Sequence, residues 1–544
     1  MIKFLYDSKE TTVQKEITTG DFILQEGLGK SVLACKVNGK IVPSDYEISS
    51  GDVIESLTIK SDEGYLIYKE SLILLLLHAA EQISGANTVF VRQSVNKSTY
   101  FEVNSDCDKI KMIHSIKEKM KETIESKESF RSVKLKTNVF AELLRQNGEE
   151  EKAENIEKLP SEFVTVCKTA KRYHLTYQPV VYCLCALDVF DIVPFDDGFL
   201  LKYPTNYTEN TIPDIKTGVK VHNAIEDYRD WISTVGVGDI FSLNKTIREG
   251  NIAELVNMAE GLHEKRISTI ADKIKSNPGI KVILIAGPSS SGKTSFANRL
   301  CIHLKINHIS PVVISLDDYY VDDERMPRDE KGEMDFECVE SIDYELFNEH
   351  LSLLAEGKTV EIPKYDFKIR KRVKGQTLTL NENQIIIAEG IHALNELLTS
   401  RVSREHKYKI YLSCLTSLCL DEYNAFSPTD NRLLRRIVRD AAHRNTPAEG
   451  TFKLWQSVRK GEQKYIFPFE SEADEVFNSS LVYELSVLKK PATELLSQIG
   501  NESPHFGRAR RLIKLLSYFE EFDPHPIPPT SIIREFIGGS TIVH

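Results

Sequence analysis

Gly287, Gly292, Lys293 and Thr294 fall at the spacing G-x-x-x-x-G-K-[ST] in the run IAGPSSSGKTS, which begins at Ile285 and ends at Ser295. Small residues at Gly287, Pro288, Ser289, Ser290, Ser291 and Gly292 let successive backbone N–H groups turn inward, and such a nest binds phosphate oxygens. At this spacing Lys293 reaches the β- and γ-phosphates of a nucleoside triphosphate, and the Thr294 hydroxyl holds Mg²⁺. Ser295 continues into a helix whose N-terminus favours an anion. The stretch names a triphosphate donor, ATP in the simplest case, and leaves the acceptor open.

Further along, SLDDYY (315–320) puts Asp317 and Asp318 at the end of an apolar run, and AEGIHAL puts Glu389 at the end of another. Carboxylates at such strand ends face the ligand crevice of a parallel sheet. One can take the proton of an attacking hydroxyl, and another can order Mg²⁺-bound water. Arg432, Arg435, Arg436, Arg439 and Arg444 then crowd TDNRLLRRIVRDAAHRNT (429–446). Arg432 and Arg436, like Arg435 and Arg439, are one helical turn apart and project together. Phosphoryl transfer spreads negative charge that arginines neutralise, so this helix reads as a lid closing on the site.

These residues need elements to hold them. The chain has 544 residues, enough for three or four domains. Apolar residues make up 41% and charged residues 27%, an ordinary globular mix. A net charge of −11 argues against a protein whose main task is gripping nucleic-acid backbone. Nine cysteines without a repeated C-x-x-C read as reduced thiols in a cytoplasmic protein. Cys183 and Cys185, the closest pair, would point to opposite faces of a strand. The start, MIKFLYDSKE, carries no cleavable apolar signal, and LILLLLHAA (72–80) is too short to span a bilayer, so no membrane role is expected.

Residues 1–60 read as short strands and turns, with Asn38-Gly39 as a hairpin turn. Residues 61–220 mix an apolar helix (70–84), strand-like NTVFVRQSV and STYFEV, a helix with Ile110, Ile113, Ile116 and Met120 on one face, and a polar, solvated NGEEEKAENIEK. Residues 221–280 read as a helical connector. From 281 to 495 the apolar runs KVILIAG, PVVISLDD, QIIIAEG and YKIYLSC alternate with helical segments. Apolar strands interleaved with helices predict a parallel sheet covered on both faces. The strand over 281–286 and the helix over 294–305 supply the context the phosphate loop needs. Residues 496–544, with IREFIGGS, are left as a C-terminal tail.

The ordered set GPSSSGKTS, SLDDYY, PKYDF, AEGIHAL and RRIVRD resembles the uridine kinase/phosphoribulokinase family over roughly 280–490. The resemblance implies a P-loop kinase with Asp317 as general base on a sugar hydroxyl. It implies Asp318, Tyr320 and Tyr365 near a nucleoside, and Arg436, Arg439 and Arg444 around phosphates and acceptor. Where uridine kinases carry a histidine five residues after the tyrosine of Y-D-F, this chain has Arg370, which could meet an acceptor that is already anionic. A sugar phosphate or a pantothenate-like alcohol therefore stays open beside a nucleoside. Residues 1–60 resemble a TGS domain, a ubiquitin-like β-grasp module. Residues 61–220 resemble the editing-type domain of threonyl-tRNA synthetase, but its metal-ligand positions fall on Glu70 and Leu74, which implies that hydrolytic chemistry is lost. His78 and His174 then read as partly buried structural histidines. The fold class implied is α/β and multidomain: a β-grasp module, an α+β synthetase-like domain and a P-loop parallel-sheet kinase domain. RNA, a nucleotide signal or a second subunit are open as ligands of the front half, which would make the chain a nucleotide-sensing regulator, and family members often form homo-oligomers.

Overall fold

The computed structural model describes residues 1–542 except 86–87, 96, 106–107, 127–128, 178, 214–217, 330–331, 367–368, 382, 422–423 and 425. Phe367 of PKYDF thus lies outside the described residues.

The front of the chain forms β1 (Ile2–Tyr6), β2 (Lys9–Val13), α1 (Thr19–Gln25), β3 (Ala34–Val37), β4 (Lys40–Val42) and β5 (Val53–Leu57). They build one mixed sheet in the order β2-β1-β5-β3-β4. Asn38 and Gly39 both have positive φ, 50° and 77°, and make the expected two-residue turn between β3 and β4. Phe4 and Phe22 meet edge to face, which seats α1 on the sheet.

Next come α2 (Asp62–Ser84), β6 (Val89–Val95), β7 (Ser98–Val103) and α3 (Lys109–Glu125). Ser61 caps α2 by accepting from the Gly64 N–H, and the apolar run at 72–80 lies buried in this helix. A separate antiparallel sheet, β10-β9-β8, follows from β8 (Ser132–Lys136), α4 (Thr137–Gln146), α5 (Glu150–Glu157), β9 (Phe163–Lys168) and β10 (Tyr173–Leu175). The acidic stretch expected to be solvated is α5. Ala153 and Ile156, one turn apart, are buried and hold it to the core. Finally β11 (Asp191–Phe195) and β12 (Gly198–Lys202) return to give the sheet β11-β12-β7-β6.

One expectation about the cysteines is overturned. Cys183 and Cys185 are joined in a disulfide. They do not lie on a strand: Cys183 caps a short 3₁₀ turn, Leu184–Leu187, which brings the two sulfurs to the same side. The adjoining Tyr182 ties this segment to the front sheet, donating to Val42 C=O at 2.8 Å and accepting from Cys35 N–H at 3.1 Å.

Three large cores result, one of them spanning Val282 to Ala473 and including Tyr320 and Tyr365. Another joins residues from Phe4 to Tyr203. The third runs from Phe140 to Phe536, so the β8–β10 unit packs against the second half of the chain. The helices α6 (Val219–Thr234), α7 (Ile240–Arg248) and α8 (Ile252–Lys275) contribute Tyr228, Leu243 and Ile267 to this third core.

The second half contains β13 (Val282–Ala286), α9 (Lys293–Ile306), β14 (Ser310–Ser315), α10 (Tyr344–Ala355), the short strands β15 (Val360–Glu361), β16 (Lys364–Asp366), β17 (Lys371–Val373) and β18 (Thr377–Leu378), then β19 (Gln384–Glu389) and β20 (Lys407–Ser413). It continues with α11 (Pro428–Arg444), α12 (Ala448–Tyr465), β21 (Glu475–Asn478), α13 (Glu484–Leu496), α14 (Phe506–Leu516) and α15 (Arg534–Ile537). Its main sheet has the order β14-β19-β13-β20-β21, with every pairing parallel. All five residues of β13 are buried, as a central strand covered by helices on both faces requires. From β13 the chain builds first to one side (β14, β19) and then to the other (β20, β21). That reversal opens a crevice beyond the carboxyl end of β13, where ligands bind in such sheets.

Candidate active site

The strand register fixes the site. Ser315, Glu389, Ile285 and Ile410 are Cα partners in one row across β14, β19, β13 and β20. Asp317 and Gly287 therefore both lie two residues beyond the same row, and Glu389 sits between them. Sequence spacing alone put these groups at strand ends. The register adds that the ends are level.

The phosphate loop has the backbone its composition calls for. Ser290 and Gly292 have positive φ, 61° and 88°. A Cβ on Gly287 would lie 1.9 Å from the Leu412 carbonyl oxygen, so only glycine lets the loop sit against β20. The Ser290 and Ser291 hydroxyls are buried and find no hydrogen-bond partner among the described residues. Buried hydroxyls without partners beside a nest of N–H groups suit an incoming polyanion. Lys293 turns back on the loop, donating to Gly287 C=O at 3.0 Å and Pro288 C=O at 3.4 Å. Burial lowers its ammonium, while Glu389 and Asp317 oppose that shift.

Burial pushes the Glu389 carboxyl up to about 7; the charge of Asp317 adds to this and Lys293 opposes it. Burial also raises Asp317, against the pull of Lys293, Arg444 and Arg439. Two carboxyls and one ammonium thus share a poorly solvated crevice, an arrangement that matches acid–base work and cation binding. Thr294 lies in the first turn of α9 and Glu389 at the end of β19, and both carry side-chain oxygens of the kind that hard divalent cations take.

On the acceptor side, Asp318 Oδ1 accepts from the Tyr365 N–H at 3.3 Å, which ties β16 to the end of β14. The Tyr320 and Tyr365 rings lie 5.5 Å apart, and Tyr320 Oη donates to Phe336 C=O at 3.1 Å. Arg370 is exposed, with φ 53°, in the turn between β16 and β17, and its Nη1 points at Met334 Sδ at 4.0 Å. The structure thus gathers Asp317, Asp318, Tyr320 and Tyr365 around one end of β14, and leaves Arg370 on the rim.

The arginine helix departs from the expected lid. Within α11, Arg432 and Arg435 are 3% and 0% exposed and pair with the buried Glu462 and Glu484. Arg432 also donates to Ser289 C=O at 3.1 Å, and Arg435 to Ser479 C=O at 2.8 Å and Ser290 C=O at 3.4 Å. Ser479 Oγ in turn donates to Ser291 C=O at 2.6 Å. These two arginines brace the phosphate loop from behind; they are not solvated groups waiting to close. The reason is that α11 has buried residues on nearly every side, packed by α12, α13 and α15. Arg436, Arg439 and Arg444 lie nearer the crevice. Arg436 Nη1 donates to Ser289 Oγ at 3.0 Å. All three converge on Asp440, at 3.1, 3.0 and 3.8 Å.

Two residues of this site escape a motif reading. Asp440 is 2% exposed and is the hub of the three arginines. Its signal was present as the last residue of RRIVRD, but hub geometry needs the folded helix. Glu337 lies in an irregular stretch between β14 and α10. Burial pushes its carboxyl up to about 7, with Arg436 opposing and Glu462 adding. Nothing in FECVES marks it.

A family model described as "Phosphoribulokinase / Uridine kinase family" matches residues 282–485, the region just described. A uridine kinase of Borrelia turicatae is 31% identical over 237 residues, which cover 42% of this chain and 99% of that one. One from Ureaplasma parvum serovar 3 is 31% identical over 177 residues, 32% of this chain and 77% of that one. The chain belongs to the phosphoribulokinase/uridine kinase family. As a member it is a P-loop kinase, and Gly287, Asp317 and Glu389 all lie within the matched region. A solved structure described as a possible uridine kinase from Bacillus stearothermophilus is 22% identical and covers 39% of this chain and 98% of its own, with a TM-score of 0.27. The family match begins at β13, so residues 1–281 lie outside it. Among the described residues no helix is long and apolar enough to cross a membrane.

Proposed function

We propose that this kinase transfers the γ-phosphoryl group of ATP to a hydroxyl of a nucleoside, of uridine or cytidine type. The observation that carries this is the shared row of the sheet that sets the phosphate loop, Glu389 and Asp317 side by side, in a chain whose relatives are uridine kinases. In this reading the loop from Gly287 to Ser295 grips the triphosphate, with Lys293 swinging from its carbonyl partners to the phosphate oxygens. Thr294 and Glu389 would hold Mg²⁺, which would supply charge neutralisation to the bound triphosphate.

Asp317 takes the acceptor's hydroxyl proton as the oxygen attacks phosphorus and the bond to the leaving ADP oxygen breaks. Arg436, Arg439 and Arg444, steadied by Asp440, offset the charge on the transferring group. Asp318, Tyr320 and Tyr365 shape the acceptor pocket, and Arg370 stands at its edge. Residues 1–60 and 61–220 fit a TGS-like β-grasp module and an editing-like domain; the five-stranded mixed sheet with α1 seated on it supports the first.

The test is ADP release by purified protein with ATP, Mg²⁺ and a panel of acceptors: nucleosides, sugar phosphates and pantothenate-like alcohols. Release that depends on a nucleoside supports the proposal. Release that depends only on a phosphorylated sugar or a simple alcohol refutes the nucleoside reading, and nucleotide binding with no acceptor dependence refutes transfer.

A further inference from the structure

The last residues of the chain, beyond the family match, form part of the outer wall of the phosphate loop. Ser531, Ile532, Ile533 and Phe536 are all buried. Ser531 Oγ pairs with Glu260 on α8. Ile532 packs so closely over Gly292 that a Cβ there would lie 2.4 Å from its Cγ2. The Phe536 ring stands 5.1 Å from the Arg435 guanidinium carbon, which itself braces the loop. This packing delivers one acid to the site: Glu535 Oε2 accepts from Ser295 Oγ at 2.7 Å. Ser295 is 1% exposed and follows Lys293 and Thr294 directly. Glu535 is close enough that its charge acts on both Lys293 and Glu389.

Glu535 is thus a further carboxylate, beside Asp317, Glu389 and Glu337, within electrostatic reach of the Lys293 ammonium, on which Arg439 also acts. A nucleoside triphosphate without metal brings about four negative charges into that field, and its magnesium complex about two. Repulsion by a fixed carboxylate scales with the charge of what approaches. A loop that only gathered N–H groups and a lysine would accept both forms; an added acid on its rim discriminates between them.

We propose that Glu535 is a specificity determinant of the donor site: held on the loop by Ser295, its carboxylate rejects the bare polyphosphate and admits the metal-complexed nucleotide. The inference rests on the donor-site reading given above. It gives the C-terminal segment a role in donor choice that residues 282–485 do not supply on their own.

The test is equilibrium binding of a non-hydrolysable ATP analogue to the full-length protein, with excess Mg²⁺ and with a chelator, for the parent, Glu535→Gln, Glu535→Lys and Glu535→Asp. Glu535 is partly exposed and Gln keeps its shape and its acceptor for Ser295, so the packing of Ile532 and Phe536 stays intact. Removing the charge is expected to tighten metal-free binding by on the order of tenfold and magnesium-complex binding by about threefold. Glu535→Lys is expected to move both further in the same direction, and Glu535→Asp to keep the parent's preference. Equal tightening of the two forms, no change, or weaker binding by both Gln and Lys would overturn the proposal. A parent that binds the analogue in neither condition would overturn the donor-site reading, and this inference with it.

Discussion

Ser315 and Glu389 end neighbouring parallel strands as Cα partners, and the Ser315 hydroxyl donates to Glu389 Oε1 at 3.0 Å. That single donor does not offset burial, and the carboxyl stands at about 7. The sign follows from linkage. An unfolded glutamate ionises near pH 4.5, whereas the folded one keeps its proton until about 7. Folding is therefore penalised progressively as pH rises through that window, and the penalty is full above it. Glu389→Gln removes the penalty. We expect the variant to be more stable than the parent by on the order of 2 kcal/mol at about pH 8, with the difference shrinking towards about pH 5. Urea unfolding at the two pH values checks this. The same variant is expected to lose most transfer activity, because a neutral amide is a poor partner for a divalent cation. A constant stability difference across pH would mean Glu389 is ionised throughout.

Asp317 sits two residues past that row, raised by burial and facing Lys293, Arg439 and Arg444. As the group that accepts the acceptor's proton it is irreplaceable by an amide, which cannot take a proton at neutral pH. Asp317→Asn is expected to lower kcat by roughly 10²–10⁴-fold. The affinity for a non-hydrolysable nucleotide should stay within about threefold, since the loop and not Asp317 grips the phosphates. Steady-state kinetics with the best acceptor, paired with nucleotide titration, separates the two effects. An unchanged kcat would remove Asp317 from the base role.

Asp440 meets Arg436, Arg439 and Arg444 at once, and is nearly inaccessible to solvent. It touches no proposed substrate and acts as a positioning residue. Asp440→Asn keeps the shape but weakens the charge-assisted bonds that aim three guanidinium groups. We expect kcat to fall by about tenfold or more while KM for ATP changes little, because the arginines serve charge that develops during transfer. Asp440→Glu should recover part of the rate. A rise in KM with kcat intact would assign the arginines to ground-state binding.

How much of this was legible before folding depends on whether a residue acts alone or through a neighbour. The phosphate loop is a local backbone device, so its residues, its strand and its helix could be read directly from Gly287 to Ser295. Glu389 and Asp317 were legible because parallel strands are apolar runs with abrupt ends. The arginines were read by type and spacing, and there the reading failed in part: helical periodicity says which side chains share a face, not what covers it. Arg432 and Arg435 are covered, because Glu462 and Glu484 arrive from α12 and α13, 30 and 49 residues away. Cys183 and Cys185 were misplaced because a 3₁₀ turn cannot be told from a strand over four apolar residues. Glu535 was out of reach altogether. It meets Ser295 across 240 residues, a contact no local pattern encodes.

Arg435 and Glu484 offer the sharpest separation of structure from chemistry. Both are essentially inaccessible, at 0% and 1% exposure. A buried pair of this kind contributes little net stability as a pair, yet breaking it strands a charge. Arg435→Met is therefore expected to destabilise the protein by about 3–5 kcal/mol, with the Glu484 carboxylate left without its guanidinium. The double variant Arg435→Met with Glu484→Gln should regain a large part of that loss, because no charge is then left uncompensated. The phosphate loop would still lack the donor to Ser290 C=O and Ser479 C=O, so the double variant should bind nucleotide more weakly than the parent even where its fold is restored. Urea unfolding of both variants, followed by nucleotide titration of the double one, reads the two roles separately. If Arg435→Met unfolds at the parent's midpoint, the buried pair is not a brace, and the rigidity of the loop must come from its other contacts, those of Ser479, Arg432, Arg436 and Ile532.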